Sequence, residues 1–316
     1  MKIVILDGYS LNPGDLSFKD FEKFGDVSIY DKTSKEDLLD RIHDAEIVIV
    51  NKVPILKETI DKCKNLKYIG LTATGYDNVD VEYAGEKNII VTNVPAYSTF
   101  SVAQFTISLL LEICNNVSKH NKVVKDGEWE NIPYKWYSFD LRLMELYGKT
   151  IGIIGMGRIG RAVANIASAL GMNIITYGSK KDNSDIAKSV SFDELLKNSD
   201  VISLHCPLYS ETRGIINKDS IEKMKDGAII LNTSRGGLIV DEDLANALNT
   251  GKLYAAGLDV VSVEPILKAN PLLKAKNCFI TPHVAWAPIE SRERLLKVVI
   301  QNLQDFLDNK FVNLVN

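Results

Sequence analysis

Three polar side chains in the second half of this 316-residue chain could carry proton transfer beside a small acid: Arg235, Glu264 and His283. Each follows an apolar run of strand character, AIILNTS (228–234), LYAAGLDV (253–260) and CFITPH (278–283). A guanidinium offers a planar fork that fits a carboxylate. An imidazole exchanges a proton near neutral pH, and a neighbouring carboxylate can orient it. Taken singly, each has an ordinary reading. Arg235 could be a first-turn helix residue paired with an acid, Glu264 a solvated loop residue before Pro265, and His283 a structural histidine, one of four. Together, at the ligand-binding ends of successive strands, a cation, an acid and an imidazole make a coherent chemical set.

The elements that would position them are organised around Lys149–Ser179. Ile151, Ile153 and Ile154 form a short apolar strand, followed by GMGRIG, which sets Gly155, Gly157 and Gly160 at G-x-G-x-x-G spacing. Ile159, Val163, Ile166, Ala167 and Leu170 then recur at helical spacing, Gly171 suits the end of that helix, and NIITY is the next strand. A lone glycine triplet could be a structural turn. Strand, glycines, helix and strand in order form the dinucleotide fingerprint, with a diphosphate expected at the helix N-terminus.

Composition agrees. A net charge of −4 and the lack of a basic run exclude nucleic acid and anionic membranes as expected partners. Cys63, Cys114, Cys206 and Cys278 have neither metal spacing nor close pairing and read as reduced thiols of a cytoplasmic protein. MKIVILDGYS passes straight into a strand rather than a signal peptide, and no apolar run is long enough to cross a bilayer.

In the first ninety residues, strands at 3–7, 27–30, 47–51, 68–72 and 89–92 alternate with helices expected near 15–24, 34–43, 55–62 and 80–87. Ser34 with Asp37 is a candidate cap for the second of these helices. This rhythm predicts a second parallel α/β domain without a glycine fingerprint, hence one suited to the substrate. Amides around Thr74 and Gly75, in the turn ATGYDN, could hold a small carboxylate, or the turn could be an ordinary loop. Lys52 is either an anion partner or a solvated lysine. Ser98 is the expected N-cap of a long helix, apolar on nearly every side. Beyond it, Trp129, Tyr134, Trp136, Tyr137, Phe139 and Leu143 cluster in a segment without periodicity, as at an interface.

Several blocks together identify a resemblance: ATGYDNVD, NVPAYSTFSVAQ, GKTIGIIGMGRIGRAVA, VISLHCPLYSETRGIIN, LNTSRGGLIVDEDL, GLDVVSVEP and ITPHVAWAPIESR. Over essentially its whole length the chain resembles the D-isomer-specific 2-hydroxyacid dehydrogenases. The final block, with Trp286, is similar to the glycerate dehydrogenase (hydroxypyruvate reductase) branch, whereas Phe105 departs from that branch's usual histidine.

The resemblance implies two Rossmann-like or flavodoxin-like domains with parallel sheets: a substrate domain at 1–97 plus 286–316, and an inserted NAD(P)-binding domain at 98–285. It implies hydride transfer to C2 of a small 2-oxo acid of hydroxypyruvate or glyoxylate type. Arg235 would hold the carboxylate, His283 would act as general acid/base, and Glu264 would orient the imidazole and stabilise its charged form. Lys52, Thr74, Gly75 and Trp286 would line the substrate. The cofactor would meet Gly155, Met156, Gly157, Arg158, Ile159 and Gly160; then His205, Cys206, Pro207 and Thr212; then Thr233, Ser234, Asp259 and His283. No metal is implied. A homodimer built on the cofactor domain is expected, with 118–147 as an arm and Trp136 reaching the neighbour. A cleft between two such domains would close on the substrate. The acid that binds the ribose 2′-hydroxyl in NAD enzymes is missing at Gly178, which is followed by Ser179, Lys180 and Lys181; this favours NADPH over NADH. Two alternatives keep the fold. One is a lactate-, formate- or phosphite-type dehydrogenase; the other is a dinucleotide-sensing corepressor, which would need partner-binding tails.

Overall fold

The computed structural model describes residues 1–131, 142–178 and 186–316. Its contacts divide the chain into two compact units, Met1–Ser98 with Trp286–Asn316, and Thr99–Ala285.

In the first unit, β1 (Lys2–Ile5), β2 (Asp26–Ile29), β3 (Ile47–Val50), β4 (Tyr68–Leu71) and β5 (Ile90–Thr92) form one sheet in the order β2-β1-β3-β4-β5. All pairings are parallel. β3 and β4 are buried along their whole length, as strands covered on both faces should be. One face packs on Leu38, Ile42, Ile60 and Ala84. The other packs on Phe21, Val94 and, from the helix Ile289–Leu307, Leu295, Val299 and Leu303. The C-terminal tail returns to this sheet, where Val315 N–H donates to Val91 O at 3.0 Å.

The helix expected over 15–24 is instead a 3₁₀ stretch, Lys19–Phe24. Phe18, Phe21 and Phe24 are all buried, and a three-residue period stacks them on one face of a helix with three residues per turn. The other helices are shorter than expected, Leu38–Ile42, Lys57–Ile60 and Val81–Glu86. Ser34 Oγ accepts from Asp37 N–H at 3.2 Å in the turn leading into the first of them.

The second unit contains β6 (Thr150–Ile154), β7 (Asn173–Tyr177), β8 (Lys188–Ser189), β9 (Val201–Leu204), β10 (Ala228–Asn232), β11 (Leu253–Leu258) and β12 (Cys278–Ile280). Their order is β12-β11-β10-β9-β6-β7-β8, again parallel throughout. The helices Thr99–Asn115 and Arg158–Ala169 cover one face. Phe192–Asn198, Lys218–Glu222 and Asp241–Thr250 cover the other. Strand order reverses between β6 and β9, the switch point at which doubly wound sheets bind their ligands.

Candidate active site

The glycine turn lies at that switch point. Gly155 follows β6 with φ +94°, and a Cβ there would stand 2.6 Å from Cys206 N, so neither conformation nor space admits a side chain. A Cβ on Gly160 would come 2.3 Å from Gly155 O, which lets the helix Arg158–Ala169 start directly against the strand. Gly157 is different: a Cβ on it meets no atom within 4 Å. The space before this helix N-terminus is open, where N–H groups and the dipole favour a diphosphate. Arg158 is exposed and Ile159 half-buried at the same turn, while the Met156 side chain points into the core, leaving its backbone for any ligand contact.

Across the switch point, β9 is followed by His205, Cys206 and Pro207. His205 Nε2 lies 2.8 Å from Ser203 Oγ, and desolvation holds the imidazole's pKa down to about 4, so it stands neutral here. Burial pushes the Cys206 thiol up. Thr212 Oγ1 accepts from Tyr209 N–H and donates to Pro207 O, both at 2.8 Å, fixing the loop after β9. Gly178 follows β7, with φ +89°. Ser179 and Lys180 lie outside the described residues, as does Trp136.

Asn232, fully buried at the end of β10, builds the turn that presents Arg235. Its Oδ1 accepts from Ser234 N–H at 3.0 Å and its Nδ2 donates to Arg235 O at 2.9 Å. Thr233 and Ser234 use their hydroxyls within the unit, on Thr106 Oγ1 and Cys206 O, both at 2.8 Å. Asn232 escaped the sequence reading, because an asparagine after an apolar run signals only a turn.

His283 and Glu264 meet. His283 Nδ1 is 2.7 Å from Glu264 Oε2, and both side chains keep partial exposure. His283 adopts φ +55°, uncommon for a non-glycine residue and a frequent mark of functional sites. The chain on either side of it is clamped by Asp259, which is buried directly after β11. Asp259 Oδ1 accepts from Thr281 Oγ1 at 2.7 Å and Val284 N–H at 2.9 Å, and its Oδ2 from Ala285 N–H at 2.8 Å. Asp259 thus orders the segment around His283, an arrangement that sequence spacing did not indicate.

In the first unit, the switch point lies between β1 and β3. There the buried Asp7 carboxylate accepts from the N–H groups of Asn51 at 2.8 Å and Lys52 at 2.5 Å. Burial raises the Asp7 pKa, against the pull of those backbone hydrogen bonds. Asn51 Nδ2 donates to Thr72 O at 2.6 Å, which ties the Lys52 loop to the turn at 73–76. In that turn Thr74 Oγ1 donates to Val94 O at 2.7 Å, and Gly75 is half-buried. Lys52 is exposed, and Trp286 packs edge-on to Tyr97 with ring centroids 6.4 Å apart. Among the described residues no cluster of histidine, cysteine or acid could hold a metal, and no single helix is long and apolar enough to cross a membrane.

A doubly wound sheet with an open glycine turn at its switch point is the architecture of dinucleotide-binding oxidoreductases. Residues 107–285 match the D-isomer specific 2-hydroxyacid dehydrogenase NAD binding domain, and the chain belongs to that family of enzymes acting on CH–OH groups. It is 55% identical, over the full length of both chains, to a hydroxypyruvate reductase of Blautia hydrogenotrophica. A solved structure from Thermus thermophilus is 35% identical, with TM-score 0.90 and full coverage of both chains. An acyclic imino acid reductase solved with NADPH and D-Arg is 32% identical, with TM-score 0.88 and the same coverage.

Proposed function

We propose that this enzyme reduces a small 2-oxo acid of hydroxypyruvate or glyoxylate type to the D-2-hydroxy acid. The observation that carries the substrate class is the 55% identity, without truncation on either side, to a hydroxypyruvate reductase. A bound nicotinamide dinucleotide supplies the hydride. Gly157 and the helix N-terminus behind it would hold the diphosphate, since the open space in front of Gly157 fits one. Arg235 takes the substrate carboxylate with its planar fork. With Nδ1 engaged by Glu264, His283 carries the mobile proton on Nε2 and delivers it to the oxygen that gains charge at C2. Glu264 fixes the ring and balances the charge of the imidazolium. In the first unit Lys52, Thr74, Gly75 and Trp286 are the proposed substrate contacts. Asp259, Thr233, Ser234, His205, Cys206, Pro207 and Thr212 are the proposed contacts along the dinucleotide.

The preferred donor is NADPH. Gly178 at the end of β7 puts no carboxylate where a ribose 2′-hydroxyl would be read, and Ser179, Lys180 and Lys181 follow in the sequence. The four free cysteines support a reducing, cytoplasmic setting. The exposed Val117, Val124 and Trp129 support a homodimer that uses 118–147 as an arm, which light scattering at micromolar concentration would show as twice 35.1 kDa.

Steady-state reduction of hydroxypyruvate, glyoxylate, pyruvate and longer oxo acids, each with NADPH and NADH, tests substrate and donor together. Highest kcat/KM on pyruvate or a longer oxo acid would overturn the substrate assignment, and a tenfold or greater preference for NADH the donor assignment.

A further inference from the structure

The loop that carries Glu264 is exposed. Between β11 and the turn Pro271–Lys274, residues 262–265 and 267–269 all face solvent and Ile266 packs against the core, which leaves the two flanks of the loop without core support. Such a loop holds a side chain accurately only if its own backbone is tied down. Here it is tied near both ends to one atom. Asp241 Oδ2 accepts from the Ser262 hydroxyl at 2.5 Å and from the Asn270 side-chain amide at 2.7 Å. Asn270 Oδ1 in turn accepts from Leu272 N–H at 3.0 Å, anchoring the far end of the loop to the next turn.

Asp241 is itself well placed to be an anchor. It opens the helix Asp241–Thr250, where the dipole favours a carboxylate. The turn holding Arg235 packs on the same loop: a Cβ on Gly236 would stand 1.9 Å from the carbonyl carbon and oxygen of Val261 and 2.6 Å from Ser262 N. Val261 N–H reaches back to Glu264 Oε1 at 3.4 Å.

We infer that Asp241 is a positioning residue of the acid–base pair: by holding Ser262 and Asn270 on one carboxylate oxygen, it sets Glu264 against His283 Nδ1. The inference rests on the reading of Glu264 and His283 as that pair.

Asp241→Ala removes the shared acceptor, whereas Asp241→Asn keeps an oxygen that both donors can reach. In hydroxypyruvate reduction with saturating reduced dinucleotide, Asp241→Ala lowers kcat on the order of tenfold while KM stays within about twofold, because small misplacements of reacting groups are costly. Asp241→Asn restores most of kcat. The double variant Asp241→Ala/Glu264→Gln is no slower than Glu264→Gln alone, since Asp241 acts through Glu264. Multiplicative losses in the double variant, or a lowered melting temperature with kcat unchanged, would overturn the inference. If Asp241→Ala fails to fold, Ser262→Ala and Asn270→Ala each delete one donor and meet the same comparison. An impaired Glu264→Gln beside a fully active Asp241→Ala overturns this inference alone. An unimpaired Glu264→Gln overturns the acid–base reading and the inference together.

Discussion

His283 Nδ1 stands 2.7 Å from Glu264 Oε2 across a separation of 19 residues, and the segments that carry the two are tied to different aspartates. Asp259 accepts from the backbone on the C-terminal side of His283, and Asp241 accepts from the loop around Glu264. The proposed acid–base pair therefore stands between two segments, each anchored by its own buried or helix-terminal carboxylate.

His283→Ala is expected to lower kcat for oxo-acid reduction by roughly 10²–10⁴-fold, the usual worth of a positioned general acid. Binding of the reduced dinucleotide, followed by fluorescence titration, should change little. Wild-type turnover in this variant would exclude His283 as the proton donor.

Arg235→Ala should raise KM and lower kcat together, because the proposed contact with the substrate carboxylate would act in both the ground state and the transition state. Arg235→Lys should recover only part, since an ammonium lacks the planar fork. Initial-rate kinetics on hydroxypyruvate separate the two parameters, and full activity in Arg235→Lys would contradict bidentate recognition.

The glycines of the turn should fail in different ways. Gly157→Ala meets no protein atom, so the variant should fold with an unchanged melting temperature yet bind dinucleotide weakly. Gly155→Ala combines φ +94° with a Cβ 2.6 Å from Cys206 N and should lower the melting temperature without any ligand present. Thermal melts and dinucleotide titrations of the two variants make the comparison.

His205 predicts an acid-labile stability. Its folded pKa lies near 4 against an ordinary 6.5, so between those values the unfolded chain binds a proton that the folded chain refuses. Stability should fall as pH drops from about 6.5 to about 4, by at most about 1.4 kcal/mol per pH unit from this group, and no further below that. His205→Gln should flatten the slope over this window by up to one proton. Urea denaturation of the dinucleotide-free protein at pH 7, 5.5 and 4.5 measures it, and an unchanged slope would refute the assignment.

Gly178→Asp should move donor preference toward NADH by adding the missing acid. A Cβ there has room, with Gly155 N the nearest atom at 3.9 Å, but φ +89° makes the backbone unfavourable for an aspartate. A stability cost of roughly 1–2 kcal/mol should accompany the switch. Measuring kcat/KM with both donors beside a thermal melt tests both parts, and an unaltered donor ratio would remove Gly178 from donor selection.

The sequence by itself determined the features written in local order. Strand, GMGRIG, helix and strand sit within one continuous stretch, and their periodicities need no long-range contact. Arg235, Glu264 and His283 were legible as residue types at strand exits. The 3₁₀ form of Lys19–Phe24 was not, because phenylalanines three apart suit either helix until packing chooses between them.

Tertiary structure alone decided which groups meet. Sequence names many aspartates, but only the parallel sheet brings Asp259 to the backbone beside His283 and Asp241 to Ser262 and Asn270. It likewise buries Asp7 against the amides of Asn51 and Lys52, 44 and 45 residues away. Periodicity records which face of an element is buried. The partner of a polar side chain across dozens of residues is fixed only when the strands align in register, and at that point these carboxylates become part of the site.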